Sequence, residues 1–146
     1  MVRVFLDANV YFAGSFSPTG ASALILRLAK RRAFQLVASR LVLREAERNL
    51  RGKGTRKALR EFRQVVQAAS PRLVHTPSGR VLRHYESDIH PKDVPVLAAA
   101  VEASVDYLVT LDRRHFLTPA VRTRAGRVRV MAPGDFLKEL VRHAGQ

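Results

Sequence analysis

A chain of 146 residues that is 47% apolar and has no cysteine can bury the core of one domain, residues 1–146, and it excludes disulfides, thiolate zinc sites and a cysteine nucleophile together. Twenty-six Lys and Arg stand against 12 Asp and Glu, a formal net charge of +14, which favours polyanionic partners, nucleic acid first. No apolar run approaches the ~20 residues that cross a bilayer, and MVRVFLDANV lacks a cleavable signal pattern, so the expectation is a soluble cytoplasmic protein with no membrane partner.

In chain order, VRVFL at 2–6 reads as a short buried strand that stops at Asp7. A loop containing Gly14, Pro18 and Gly20 follows, then a helix over 21–32 with Ala23, Leu24, Leu28 and Ala29 at helical spacing and basic residues at its end. FQLVAS, 34–39, is a second strand. Ser39 is placed to cap a helix reaching about Leu50, with Leu43, Ala46 and Leu50 on one stripe and Glu45 beside it. RGKGT is a break before a helix over 56–69 carrying Leu59, Phe62, Val66 and Ala69. RLVHT, 72–76, is a third strand, and 77–92 a connection with one helical turn around 81–85. VPVLAAAVEA, 94–103, is a helix opened by Asp93, and VDYLVT, 105–110, a strand running into Leu111 and Asp112. RVRVMAP, 127–133, is a last strand with one wetter face, and GDFLKELVRHAG an amphipathic closing helix. Strands separated by helices predict an α/β fold, a three-layer α/β/α sandwich around a mainly parallel sheet.

Ligands of open parallel sheets bind beyond the carboxyl ends of the strands, and Asp7 and Asp112 each follow a strand there. Asp93 at a helix start and Glu45 within a helix reach the same edge if those helices flank the strands. Four clustered carboxylates repel unless a cation bridges them, and all-oxygen donors suit Mg²⁺ or Mn²⁺. Such an ion acidifies a bound water and neutralises charge at phosphorus, which points to phosphodiester hydrolysis. Each acid also has a plainer reading. Asp7 could end a strand in a turn, with Asn9 bonding its neighbours. Asp93 could be an N-cap with Pro95 in the first turn, Glu45 could pair with Arg48, and Asp112 with Arg113 or Arg114.

FLDANVYFAG, SRLVLREAERNL, DIHPKDVPVLAAAVEASVDYLVTLDRRHF and VMAPGDFL, in that order and over almost the whole chain, resemble the PIN domain family, including the VapC-type toxin ribonucleases. The resemblance implies a metal site and catalytic set of Asp7, Glu45, Asp93 and Asp112, and cleavage of single-stranded RNA with Mg²⁺ or Mn²⁺. It also implies a cognate antitoxin and frequent homodimers. Asn9 and Thr110 are candidates to support the metal ligands from behind. Asp88 sits where relatives often carry further acids. His90 and His115 lie near motif acids, where they could touch RNA or donate a proton; a solvated or packed ring is the alternative.

The track from 40 to 63 holds nine Lys or Arg against three Glu. Arg44, Arg48, Lys53, Arg56 and Lys57 there, with Arg113 and Arg114, are candidate RNA contacts; the alternative is a solvated helix face. Other functional readings remain: a stand-alone PIN nuclease in RNA processing, a non-catalytic basic RNA-binding domain, or a haloacid-dehalogenase type phosphotransfer enzyme. The last needs a proton-donating acid two residues beyond Asp7, where Asn9 stands.

Overall fold

The computed structural model describes residues 1–144. Five strands, β1 (Arg3–Leu6), β2 (Gln35–Ser39), β3 (Arg72–Val74), β4 (Tyr107–Val109) and β5 (Arg129–Met131), form one sheet. Its order is β3-β2-β1-β4-β5, and every pairing is parallel, so the expected α/β sandwich stands with a sheet that is parallel throughout. The chain steps outward from β1 to β3, then crosses back to β4 and continues to β5. With right-handed crossovers, the two directions put their helices on opposite faces. On one face α1 (Ala8–Phe16), α2 (Ala21–Lys30), α3 (Arg40–Lys53) and α4 (Arg56–Ala69) pack on one another, and α8 (Pro133–Ala144) joins them against α2. A second group consists of α5 (Gly79–Leu82), the 3-10 turn Arg83–Tyr85, α6 (Val94–Glu102) and α7 (Pro119–Ala125). Successive residues Val4, Phe5 and Leu6 of β1 are all fully buried. Because neighbours along a strand point to opposite faces, this requires cover on both.

Several expectations change. The segment after Asp7 is the helix α1 and not a loop. Asp7 has extended backbone and its carboxylate accepts from the Ala8 N–H, so it caps a helix that starts at once. Gly14 belongs to that helix. A Cβ there would lie 2.6 Å from Leu26 Cδ1 and 2.7 Å from Ser22 O, so the glycine permits α1 and α2 to approach closely and does not mark a turn. The RGKGT break is also shorter than expected. α3 continues through Lys53, Gly54 closes it by donating to Leu50 O at 2.9 Å, and Thr55 caps α4 through the Ala58 N–H. A further helix, α7, occupies a stretch to which the pattern assigned none; Thr118 caps it and Pro119 fills its first position. The closing helix runs from Pro133 to Ala144, and Gly145, the last residue expected in it, lies outside the described residues.

Candidate active site

The sheet order makes β1 and β4 neighbours although about a hundred residues separate them. The chain turns outward in opposite directions from this pair, so the gap beyond their carboxyl ends is the topological switch point where open sheets bind ligands. Asp7 and Thr110 sit there. The Asp7 N–H donates to Val109 O at 2.9 Å, and the Thr110 N–H to Met131 O at 3.1 Å. Main-chain bonds therefore fix both residues to the sheet.

A side-chain network ties the two strand ends together. Thr110 Oγ1 donates to Asp7 Oδ2 at 2.8 Å, and Asn9 Nδ2 reaches the same oxygen at 3.3 Å. Asp7 Oδ1 accepts from the Ala8 N–H at 2.8 Å. Asn9 Oδ1 accepts from the Leu111 N–H at 3.1 Å, while Thr110 Oγ1 accepts from the Asp112 N–H at 3.2 Å. Asn9 and Thr110 thus do what neutral neighbours of an acid can do: they aim its oxygens and hold the following turn. Asp7 is only 8% exposed. Burial pushes its carboxyl up to about 6; the Thr110 and Ala8 hydrogen bonds oppose the rise, and the charges of Asp93 and Glu45 add to it.

Asp93 opens α6 but does not cap it. Its backbone is already helical and its side chain makes no capping bond. The carboxylate is buried, 5% exposed, and Oδ2 has no hydrogen-bond partner. Burial first, then the charge of Asp112, raises its pKa, and His90, Lys92 and His115 pull it back. A plain capping role would have left a satisfied oxygen and an exposed group.

Glu45 and Asp112 have clearer partners. Glu45, in mid-α3, lies 3.9 Å from Lys92 Nζ across the site, so the partner of its ion pair is Lys92 and not the expected Arg48. Glu47, two residues on, takes Arg63 at 3.3 Å and Arg51 at 3.8 Å. Asp112 does shape a turn, although neither Arg113 nor Arg114 is its partner. Its Oδ1 accepts from the His115 N–H at 2.9 Å, and Oδ2 lies 3.7 Å from His115 Nδ1. Lys92 and His115 are the two residues near these acids to which sequence reasoning assigned no role in holding them. Adjacency to Asp93 and to the TLDRRHF string was the available signal.

The four acids come from four different elements, yet each feels another: Asp7 responds to Asp93 and Glu45, and Asp93 to Asp112. They share one edge of the sheet. Among the described residues, no group of three or more Asp, Glu, His or Cys is drawn together tightly enough to hold a metal ion. The donors nevertheless fit a hard cation. They are all carboxylates, two of them have raised pKa values, and Asp93 Oδ2 is a buried oxygen without a partner. Of the candidate RNA contacts, Arg44, Arg48 and Lys53 are exposed on α3, Arg56 and Lys57 on the first turn of α4, and Arg113 and Arg114 in the turn after Asp112. Asp88 is exposed with a positive φ of 60°, a turn conformation that Asp tolerates better than most residues.

A model of the PIN domain matches residues 3–114, and the chain belongs to the PIN domain family, whose members include nucleases. Solved structures share the fold over nearly the full length. VapBC2 from Rickettsia felis, bound to a DNA fragment from their promoter, is 13% identical with a TM-score of 0.58, covering 90% of this chain and 98% of that one. FitAcB from Neisseria gonorrhoeae is 15% identical, TM-score 0.62, covering 89% and 97%. PAE2754 from Pyrobaculum aerophilum is 21% identical, TM-score 0.64, covering 99% and 91%. Comparison with curated proteins finds no match.

Proposed function

We propose that this protein is an endoribonuclease that hydrolyses phosphodiester bonds of single-stranded RNA with Mg²⁺ or Mn²⁺, and that it is the toxin of a toxin-antitoxin pair. One observation supports the reading: in a PIN domain, Asp7 and Asp112 follow the two strands of the switch point, Asp7 is coupled to Asp93 and Glu45 and Asp93 to Asp112, and Asp7 and Asp93 are buried with raised pKa values. Asp7, Asp93 and Asp112 would hold the ion directly or through water, with Glu45 completing its shell or positioning the attacking water. When bound, the ion supplies a more acidic water and neutralises charge at the phosphorus.

The chain's own residues prepare this. Thr110 and the Ala8 N–H favour the ionised form of Asp7, opposing its burial. Asn9 anchors to Leu111 and Asp7 together, so the two strand ends cannot drift apart independently. Asn9 also stands where a phosphotransfer enzyme would need a proton donor, and its amide is engaged in that anchoring, which disfavours that chemistry. The charge of +14, with exposed cations on α3, α4 and the Asp112 turn, gives an RNA backbone a surface to follow.

The antitoxin reading draws support from the similar VapBC2 and FitAcB structures and from FitAB bound to an IR36 DNA fragment. A homodimer in the cytoplasm completes the proposal, and among the described residues no helix is long and apolar enough to cross a membrane. The test is incubation of the purified chain with a panel of single-stranded RNAs in Mg²⁺, Mn²⁺ or EDTA. Cleavage with either metal and none in EDTA is expected; metal-independent cleavage, or tight RNA binding without any cleavage, overturns it. Co-expression with a small protein encoded next to it tests the toxin assignment, which predicts a stable complex and loss of cleavage.

A further inference from the structure

His90 and His115 occupy matching places around the acids. His90 lies three residues before Asp93, His115 three residues after Asp112. Their rings meet, with centroids 4.8 Å apart and planes tilted by 51°. Each residue is tied to its own turn, His90 through its ring and His115 through its backbone. His90 Nδ1 accepts from the Lys92 N–H at 3.2 Å, and the His90 carbonyl accepts from the Asp93 N–H at 2.8 Å. His115 Nδ1 faces Asp112 Oδ2 at 3.7 Å, and its backbone N–H is bound to that same carboxylate. Both residues are exposed, with 45% of the His115 side chain open to solvent.

Two exposed rings are usually mobile, and holding them costs rotamer freedom. Here that freedom is already reduced: the His90 ring accepts from the Lys92 N–H, and the His115 ring lies against the His90 ring and beside Asp112 Oδ2. Flat π faces held in this way are what a splayed nucleobase stacks on. Other aromatic side chains are scarce at 7% of the chain; Tyr11, Phe5, Phe34, Phe116 and Phe136 are fully buried, and the exposed Phe16, stacked on Phe12, stands at the end of α1 remote from Asp7. We infer that the His90–His115 pair is the stacking platform for the nucleobase next to the phosphate being cut, and so a substrate-positioning element of this active site. The inference rests on the nuclease reading and adds to it the way in which the chain is seated.

The test pairs steady-state cleavage of a short single-stranded RNA in Mn²⁺ with anisotropy of the same labelled RNA in Ca²⁺, each with the full chain. His115→Ala is expected to raise KM and the dissociation constant about ten-fold while kcat stays close to wild type. His115→Phe, which keeps a ring face but no titratable nitrogen, is expected to restore both. An RNA made abasic beside the cleavage point should cost wild type the same factor and cost His115→Ala nothing more. If Phe fails as Ala does, the imidazole nitrogens and not the ring face are at work, and the platform is wrong. If the Ala variants of both histidines bind and cleave as wild type, it is wrong as well. Binding is read independently of turnover, so a wild type that binds intact RNA better than abasic RNA but cuts neither would count against the nuclease reading and not against the platform.

Discussion

Replacing Asp7 by Asn should make the metal-free protein more stable at neutral pH. Asp7 is 8% exposed and its carboxyl is raised from 3.8 to about 6. Such a group favours the folded state in its protonated form. Its stabilising contribution is complete below 3.8 and is lost as pH rises through 6. At about 1.4 kcal/mol per pH unit, that loss amounts to about 3 kcal/mol by pH 7.5. An Asn side chain does not titrate and escapes it. The amide loses one acceptor, however: its NH₂ accepts from neither Thr110 nor Asn9 and can only donate to the Thr110 hydroxyl, so the Asn9 contact is lost, and that costs about 1 kcal/mol. A net gain of about 2 kcal/mol at pH 7.5 follows, turning into a deficit of about 1 kcal/mol near pH 4. Urea denaturation of wild type and Asp7→Asn in EDTA, at several pH values between 4 and 7.5, measures the difference directly. Acids not coupled to Asp7 titrate alike in both proteins and cancel, while the couplings to Asp93 and Glu45 are part of the Asp7 shift and vanish with it. A difference that stays flat across this range would show that Asp7 carries its charge without penalty and would refute the reasoning.

Other outcomes follow from the same geometry. Thr110→Val removes the hydroxyl that lowers the pKa of Asp7, so the acid limb of the cleavage profile should move to higher pH; a uniform drop with an unmoved limb would contradict this. Gly14→Ala places a Cβ 2.6 Å from Leu26 and 2.7 Å from the Ser22 carbonyl, and overpacking of this kind should cost about 1–3 kcal/mol in thermal or urea unfolding. Lys92→Ala breaks an exposed 3.9 Å pair with Glu45, so stability should change by less than about 0.5 kcal/mol; the Asp93 pKa, followed by carboxyl NMR, should rise because Lys92 holds it down. Replacing Lys53, Arg56 and Lys57 together by Ala should flatten the dependence of log K on log salt by about 2, at about 0.7 for each phosphate that is no longer neutralised.

Much of the architecture was legible because the strands are short apolar runs bounded by polar residues, and because Ser39 and the stripe of Leu43, Ala46 and Leu50 mark α3 as amphipathic. α1 was not legible for the opposite reason. Ala8, Val10, Tyr11, Gly14 and Ser15 are all buried, so the helix shows little contrast between faces, and its glycine serves close packing where the residue type suggests a turn. α7 buries only Val121 and Ala125 in a run rich in Arg, which hides its period. The acids could be named from their positions after strands and at helix starts. Their proximity could not, because it depends on β4 inserting beside β1 and not beside β3. Nor could the sequence separate Asp93 as a cap from Asp93 as a ligand; its unpartnered buried oxygen favours the second.

The most direct test compares wild type with Asp7→Asn and Asp93→Asn, each shown to be folded by circular dichroism, on an RNA panel in Mg²⁺ and in Mn²⁺. Cleavage by wild type, with a loss of about a hundred-fold or more in each variant, is the predicted result. Full metal-dependent cleavage by both variants would contradict the claim that these acids share one cation-binding catalytic pocket.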